Sequence, residues 1–238
     1  MSLVVTVNVR EGIVMAADSR LTLNTQEPQR VGQQTVHLAV GMSDSNRKLF
    51  VTPNHVGIST FGQADIQGVP IAGFIDSFIA ALPTTHGPQQ TAQDLLTNFR
   101  GINPALKTCF HVAGYDASTP PVQEVWIVEV QNNRIQKGNQ PNQQGLAFGG
   151  EAEIVVRLLQ PVAVAGTNNT WQPLSPVSIP INFFTIQDAI DFGVHLIRTT
   201  IDSFRFQSRP KTVGGPIDVL VIKPSSLEWV NQKQLQMP

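Results

Sequence analysis

LVVTVNVREGIVMAAD, residues 3–18, is the stretch that decides the fold, and it runs on into Ser19, Arg20, Leu21 and Thr22. Two valine-rich runs, 3 to 9 and 12 to 18, flank Arg-Glu-Gly, and short apolar runs broken by a few turn-forming residues predict a β-hairpin. The second run ends on Ala16 and Ala17 and then an aspartate, with a guanidinium two residues later. A carboxylate thus stands at the tip of a segment apolar enough to be buried. Only 14% of the residues are charged, and burying a carboxylate costs free energy unless it is paired. Asp18 calls for a partner.

Working outward, RKLFV (47–51) and HVGISTFG (55–62) predict a second hairpin around Thr52, Pro53 and Asn54. From Ile66 the apolar period lengthens, with Val69, Phe74, Ile75, Phe78, Ile79 and Leu82 at helical spacing up to Pro83. A second helix is predicted from Thr91, where TAQD has the form of a capping box with Asp for Glu. TCFHVAGY (108–115) and EVWIVEV (124–130) predict two strands, and 131–145 a turn-rich connection with one short strand at its centre. After AFGG, a helix carries Val155, Val156, Leu158 and Leu159. Residues 160–184 are uncharged and proline-punctuated, and are expected to form an excursion. The longest helix is predicted from Thr185 to about Phe206, and GGPIDVLVIKP ends in a buried strand followed by a polar tail. Strands and helices come in runs rather than alternating, which predicts α+β layers, expected as one domain over 1–238.

A chain of 238 residues, 41% of them hydrophobic, can bury a full core. The net charge of −1 and the scattered Lys and Arg residues exclude the basic footprint of a nucleic-acid binder. The single cysteine, Cys109, suits a reducing compartment. The N-terminus lacks a basic leader and no apolar run reaches membrane-spanning length, so a cytoplasmic protein without a membrane partner is expected. There is no glycine-rich nucleotide loop, no GxSxG and no HExxH. His37, His55, His86, His111 and His195 lack ligand-like spacing, and neither a metal nor a cofactor is expected.

Asp18 gains meaning from the residues around it. Methionine before a residue as small as serine is normally removed, which would make Ser2 the first residue, and the hairpin brings Asp18 back beside it. Lys48 opens the second hairpin and Gly62 closes it just ahead of a helix. Together with Arg20, Thr22, RKLF, GISTFG and the late TVGGPIDVLVI, this order resembles the proteasome β-subunit family of N-terminal nucleophile hydrolases, nearest to the bacterial proteasome-like peptidases of the ancestral β-subunit type. Most of the chain is covered, and the sixteen-residue spacing from Ser2 to Asp18 is that of the family.

The resemblance implies a four-layer αββα sandwich and a peptidase in which the freed amine of Ser2 is the general base for its own hydroxyl, an α-amino group ordinarily titrating at about 7.7 to 8.0. It implies Lys48 as an ammonium beside that hydroxyl, Asp18 as its counter-ion, and Gly62 as an oxyanion donor, a contact of roughly 3 to 4 kcal/mol in other hydrolases. Thr22 would pair with an extended peptide and Arg20 would anchor its loop. It also implies a ring or open spiral of identical subunits acting on peptides or unfolded proteins; no nucleotide motif for an ATPase partner occurs in the chain itself. Two other readings stay open: a catalytically silent assembly subunit, and a small-molecule amidase using the same site.

The chain departs from the family in three places. Serine replaces the usual threonine, and residues 23–47 are longer than the usual connection. Where catalytic β-subunits carry a serine at the start of the third helix and an aspartate and a serine before the last Gly-Gly, this chain is expected to present Gly150, Pro210 and Val213, so the hydrogen bonds supporting the amine are expected to be missing or differently made.

Overall fold

The first hairpin forms as its pattern requires. In the computed structural model, which describes residues 2–24, 29–31, 34–36, 39–175 and 178–234, β1 (Leu3–Val9) and β2 (Gly12–Ala17) pair antiparallel with Val4 opposite Ala17 and Val9 opposite Gly12. Met1 and His37 lie outside the described residues. The chain continues through short ribbons β3 (Leu21–Asn24), β4 (Gln29–Val31), β5 (Gln34–Val36) and β6 (Ala39–Ser43). Next come β7 (Leu49–Val51), β8 (Gly57–Gly62), β9 (Asp65–Ile66), β10 (Val69–Pro70) and the helices α1 (Ile71–Ala81) and α2 (Pro88–Ile102). Then follow β11 (Thr108–Tyr115), β12 (Gln123–Glu129), β13 (Arg134–Lys137), β14 (Gly145–Gly150), α3 (Glu153–Leu159), β15 (Ala163–Ala165) and β16 (Trp171–Pro173). The chain closes with α4 (Ile186–Arg205), β17 (Asp218–Lys223) and β18 (Ser226–Asn231).

Two five-stranded antiparallel sheets, in the orders β14-β1-β2-β17-β18 and β13-β12-β11-β8-β7, stack face to face. Strand side chains alternate between faces, and β1 and β2 are buried on both. Leu3, Val5, Val7, Val14 and Ala16 face α3 and α4, whereas Val4, Ile13, Met15 and Ala17 face the second sheet with Leu49, Ala113 and Val125. On the far side of the second sheet, Ile58, Phe110, Val112 and Val128 pack under α1 and α2 through Ile75, Phe78, Leu95 and Phe99. The result is an α+β, four-layer αββα sandwich.

α4 begins as its sequence predicts: the Thr185 side chain accepts from the Asp188 amide, and the Asp188 carboxylate accepts from the Thr185 amide at 2.8 Å. Four expectations are corrected. The first helix starts at Ile71 rather than Ile66, because Gln67 and Gly68 take positive φ in a tight turn between β9 and β10 and Pro70 then sets the helix entry. The second starts at Pro88, whose fixed φ suits a first turn, so TAQD is not its cap. Gly145–Gly150 is a strand beside β1, outside the predicted set. The polar tail contains the edge strand β18, whose Leu227 and Trp229 pack against the inter-sheet core while Glu228 and Val230 face outward. Among the described residues no helix is long and apolar enough to cross a membrane.

Candidate active site

The partner that Asp18 requires is Lys48. Its Nζ lies 2.6 Å from Asp18 Oδ1, and the two side chains are 1% and 0% exposed. The lysine is delivered from the opposite sheet, immediately before β7, and held there by the Thr60 amide donating to the Lys48 carbonyl at 3.0 Å. Oδ1 also accepts the Leu3 amide at 2.9 Å, while Oδ2 accepts the amides of Arg20 at 3.1 Å and Gly214 at 3.0 Å. Three N–H donors and an ammonium thus saturate a carboxylate that water does not reach, the condition under which a buried charge is tolerated. Burial pushes the Lys48 pKa below the usual lysine range, Asp18 opposes this, and the nearby Lys233 ammonium adds to the lowering.

Ser2 lies one residue before the Leu3 amide that Asp18 holds. It is 3% exposed, and its carbonyl accepts the Glu151 amide at 2.7 Å. Gly150 passes so close that a Cβ there would sit 1.8 Å from the Ser2 oxygen, and its φ is +96°, so only glycine fits. Gly62 ends β8, two residues beyond Thr60, also at φ +96°; a Cβ would lie 2.3 Å from the Lys107 carbonyl oxygen. It is joined to the Asp18–Lys48 pair through β8 rather than by direct contact. Arg20 makes a bidentate pair with Asp44 at 2.7 and 2.8 Å, which raises the Arg20 pKa and lowers that of Asp44. Thr22, on β3, donates its hydroxyl to the Lys211 carbonyl at 3.3 Å. Ser2, Asp18 and Lys48 are therefore gathered at the ends of β1, β2 and β7, while Arg20 and Thr22 secure the loop that leaves them.

Residues 209–214, of which the sequence singled out Pro210 and Val213 but neither Arg209 nor Thr212, tie the site together. Besides the Gly214 amide on Asp18, the Gly214 carbonyl accepts from Ser19 at 3.0 Å and the Lys211 carbonyl accepts from Thr22. Glu151 Oε1 accepts the Thr212 hydroxyl at 3.1 Å, and Oε2 accepts Arg209 Nη2 at 2.6 Å. Polar support beside Ser2 therefore comes from Glu151, Arg209 and Thr212, neighbours of the Gly150, Pro210 and Val213 singled out from sequence. The available signal was two opposite charges, Glu151 and Arg209, each beside a glycine or proline in a chain so poor in charge.

A second lysine–aspartate pair lies next to the first. Asp218, opposite Ala17 on β17, accepts the Lys233 amide at 2.7 Å and the Lys233 ammonium, whose Nζ also bonds Ser19 Oγ at 2.9 Å. Between the sheets, His111 is fully buried, with Nδ1 3.0 Å from Thr6 Oγ1 and Nε2 unpartnered, and burial lowers its pKa to about 4. Among the described residues, no group of three or more His, Cys, Asp or Glu is arranged to hold a metal.

Two stacked antiparallel sheets between helical layers form a four-layer αββα sandwich of the N-terminal nucleophile hydrolase type. A solved structure with this architecture is the Anbu (Gly-1) mutant from Hyphomicrobium sp. strain MC1, similar at a TM-score of 0.62 over 98% of this chain and 86% of that one, with 12% identity. At that identity the likeness carries the fold. No protein-family model matches the sequence, and no curated protein does either.

Proposed function

We propose that the chain is a proteasome-like peptidase whose nucleophile is the hydroxyl of Ser2 and whose general base is the Ser2 amine freed by removal of Met1. The observation that carries this reading is the sharing of one oxygen: Asp18 Oδ1 accepts both the buried Lys48 ammonium and the amide of the residue that follows Ser2. The carboxylate thereby fixes the lysine and the start of β1 on a single atom. Ser2 Oγ attacks the substrate carbonyl while its proton passes to the α-amine, and Lys48 offsets the charge developing on oxygen. Collapse of the tetrahedral adduct returns that proton to the leaving amine, and water then hydrolyses the acyl-serine with the same amine as base. Gly62 is the proposed oxyanion donor, Thr22 the proposed contact for an extended peptide, and Arg20 the anchor of its loop.

Self-association into a ring or open spiral in the cytoplasm belongs to the same proposal. It is supported by the exposed apolar side chains of Val162, Val164, Trp171 and Leu174 on the uncharged excursion. A second reading, a silent assembly subunit, is favoured by the burial of Ser2.

Intact mass before and after incubation with a β-lactone separates the two. The peptidase reading expects loss of Met1 and one stoichiometric adduct on Ser2, with Ser2→Ala giving neither adduct nor peptide cleavage. Peptide cleavage that survives Ser2→Ala would sink it, and a free Ser2 that stays unmodified would leave the silent subunit.

A further inference from the structure

We infer that Arg209 and Glu151 form a clamp that positions Ser2 against the Asp18–Lys48 pair, an inference that rests on Ser2 being the nucleophile. Among the described residues no hydrogen bond holds the Ser2 side chain, whereas its main chain is held on the carbonyl side. Its carbonyl is gripped by the Glu151 amide at 2.7 Å, in a turn so tight against it that Gly150 admits no side chain.

What fixes that turn is the Glu151 side chain, 11% exposed, with both oxygens engaged by residues of the segment that follows α4: the Thr212 hydroxyl on Oε1 and Arg209 Nη2 on Oε2. Arg209 is itself pinned on two further sides, by Nη1 to Glu153 Oε2 at 2.6 Å and by its guanidinium lying 4.2 Å over the Phe204 ring. Five residues past Arg209, the Gly214 amide is bonded to Asp18. The same short segment therefore holds the nucleophile's residue through Glu151 and the lysine's counter-ion through Gly214. Its two grips set their separation. Neither Arg209 nor Glu151 contacts the reacting atoms in this arrangement, so both are positioning residues.

A partly exposed ion pair adds little to global stability, whereas a misplacement of about 1 Å can slow a reaction roughly a hundredfold. A positioning role and a merely structural one therefore leave different signatures. The test measures β-lactone acylation of Ser2 in the wild-type chain and in Glu151→Gln, Arg209→Met, Arg209→Lys, the double variant and Arg157→Ala, with a thermal melt of each. Among the described residues Arg157 bonds Glu153 alone, at 2.5 Å on the exposed face of α3, through Oε1 and not through the Oε2 that Arg209 uses.

The clamp predicts that Glu151→Gln and Arg209→Met lower the maximal acylation rate roughly ten- to a hundredfold, with the half-saturating lactone concentration within about twofold and little change in melting temperature. It predicts that the double variant is no slower than the slower single one, that Arg209→Lys recovers part of the rate, and that Arg157→Ala matches wild type. Should Glu151→Gln fail to fold, Thr212→Val, which takes only the hydroxyl from Oε1, carries the same expectation at smaller size. If wild type is acylated and the Glu151 and Arg209 variants react at its rate, the clamp is overturned while the role of Ser2 stands. Losses that multiply in the double variant, or an equal loss in Arg157→Ala, overturn it too. Absence of acylation in wild type overturns the role of Ser2 first, and with it the clamp.

Discussion

Two buried lysine–aspartate pairs stand side by side on the first sheet, built from the same residue types and doing different work. Asp18 directly follows β2 and receives its lysine from the other sheet, so the Asp18–Lys48 bond ties the two halves of the sandwich together at the mouth where β1 begins. Asp218 starts β17 and receives its lysine from residues just past β18, its own neighbour, so that pair secures a sheet edge. Lys48 is 1% exposed and Lys233 11%. Asp18 takes three backbone amides, and Asp218 takes one. The contrast teaches that burial alone does not single out a candidate catalytic pair. What does is the number of chain segments spent on holding it, and the nearness of Ser2.

The largest expected effect breaks the first pair. Asp18→Ala leaves the Lys48 ammonium with no counter-ion in a site closed to water, which should cost about 3 to 5 kcal/mol in urea unfolding. Lys48→Met should cost less, because the three amides still serve Asp18. A cost below about 1 kcal/mol for Asp18→Ala would mean that Lys48 is neutral in the folded chain, and the distinction between the pairs would fail.

His111 sharpens the comparison as a buried ionisable group with no counter-ion. Its pKa is lowered from 6.5 to about 4, so below pH 6.5 the unfolded chain takes up a proton that the folded chain refuses until about pH 4. Stability is therefore lost as pH falls through that window, by about 2 kcal/mol at pH 5 relative to pH 7. Urea midpoints at both pH values should show this loss in wild type, and His111→Gln should lack that part of it.

Lys233→Met carries the smallest effect. It removes a charge-assisted bond at a partly accessible edge, worth about 1 to 2 kcal/mol. It should also raise the Lys48 pKa, since the Lys233 ammonium lowers it; an unchanged pH profile of Ser2 acylation would show that the two pairs do not communicate.

Much of the fold was legible because its signals are local. The Val-rich runs around Arg10 and Glu11 carry the hairpin signal within one short stretch, and Thr185 with Asp188 caps α4 using atoms three residues apart. Errors fell where a local signal was overruled. TAQD had the right letters for a cap, but Pro88 started the helix earlier and left the Thr91 hydroxyl buried without a partner. β18 was missed because only Leu227 and Trp229 mark its inner face among polar neighbours, and an edge strand needs no more than that once β17 is there to pair with.

The site divides in the same way. The order of residues alone was enough to put Asp18 at the end of a buried strand with Ser2 beside it, because the short turn at Arg10 and Glu11 fixes the hairpin register, Val9 opposite Gly12 and Val4 opposite Ala17. Tertiary structure alone decided what surrounds them. Lys48 arrives from the other sheet, the Gly214 amide from 196 residues along the chain, and the Arg209–Glu151 pair joins segments 58 residues apart. No periodicity or spacing encodes such contacts. They exist because stacking two sheets brings distant strand ends to one place, where a buried carboxylate must be satisfied by whatever donors the fold delivers.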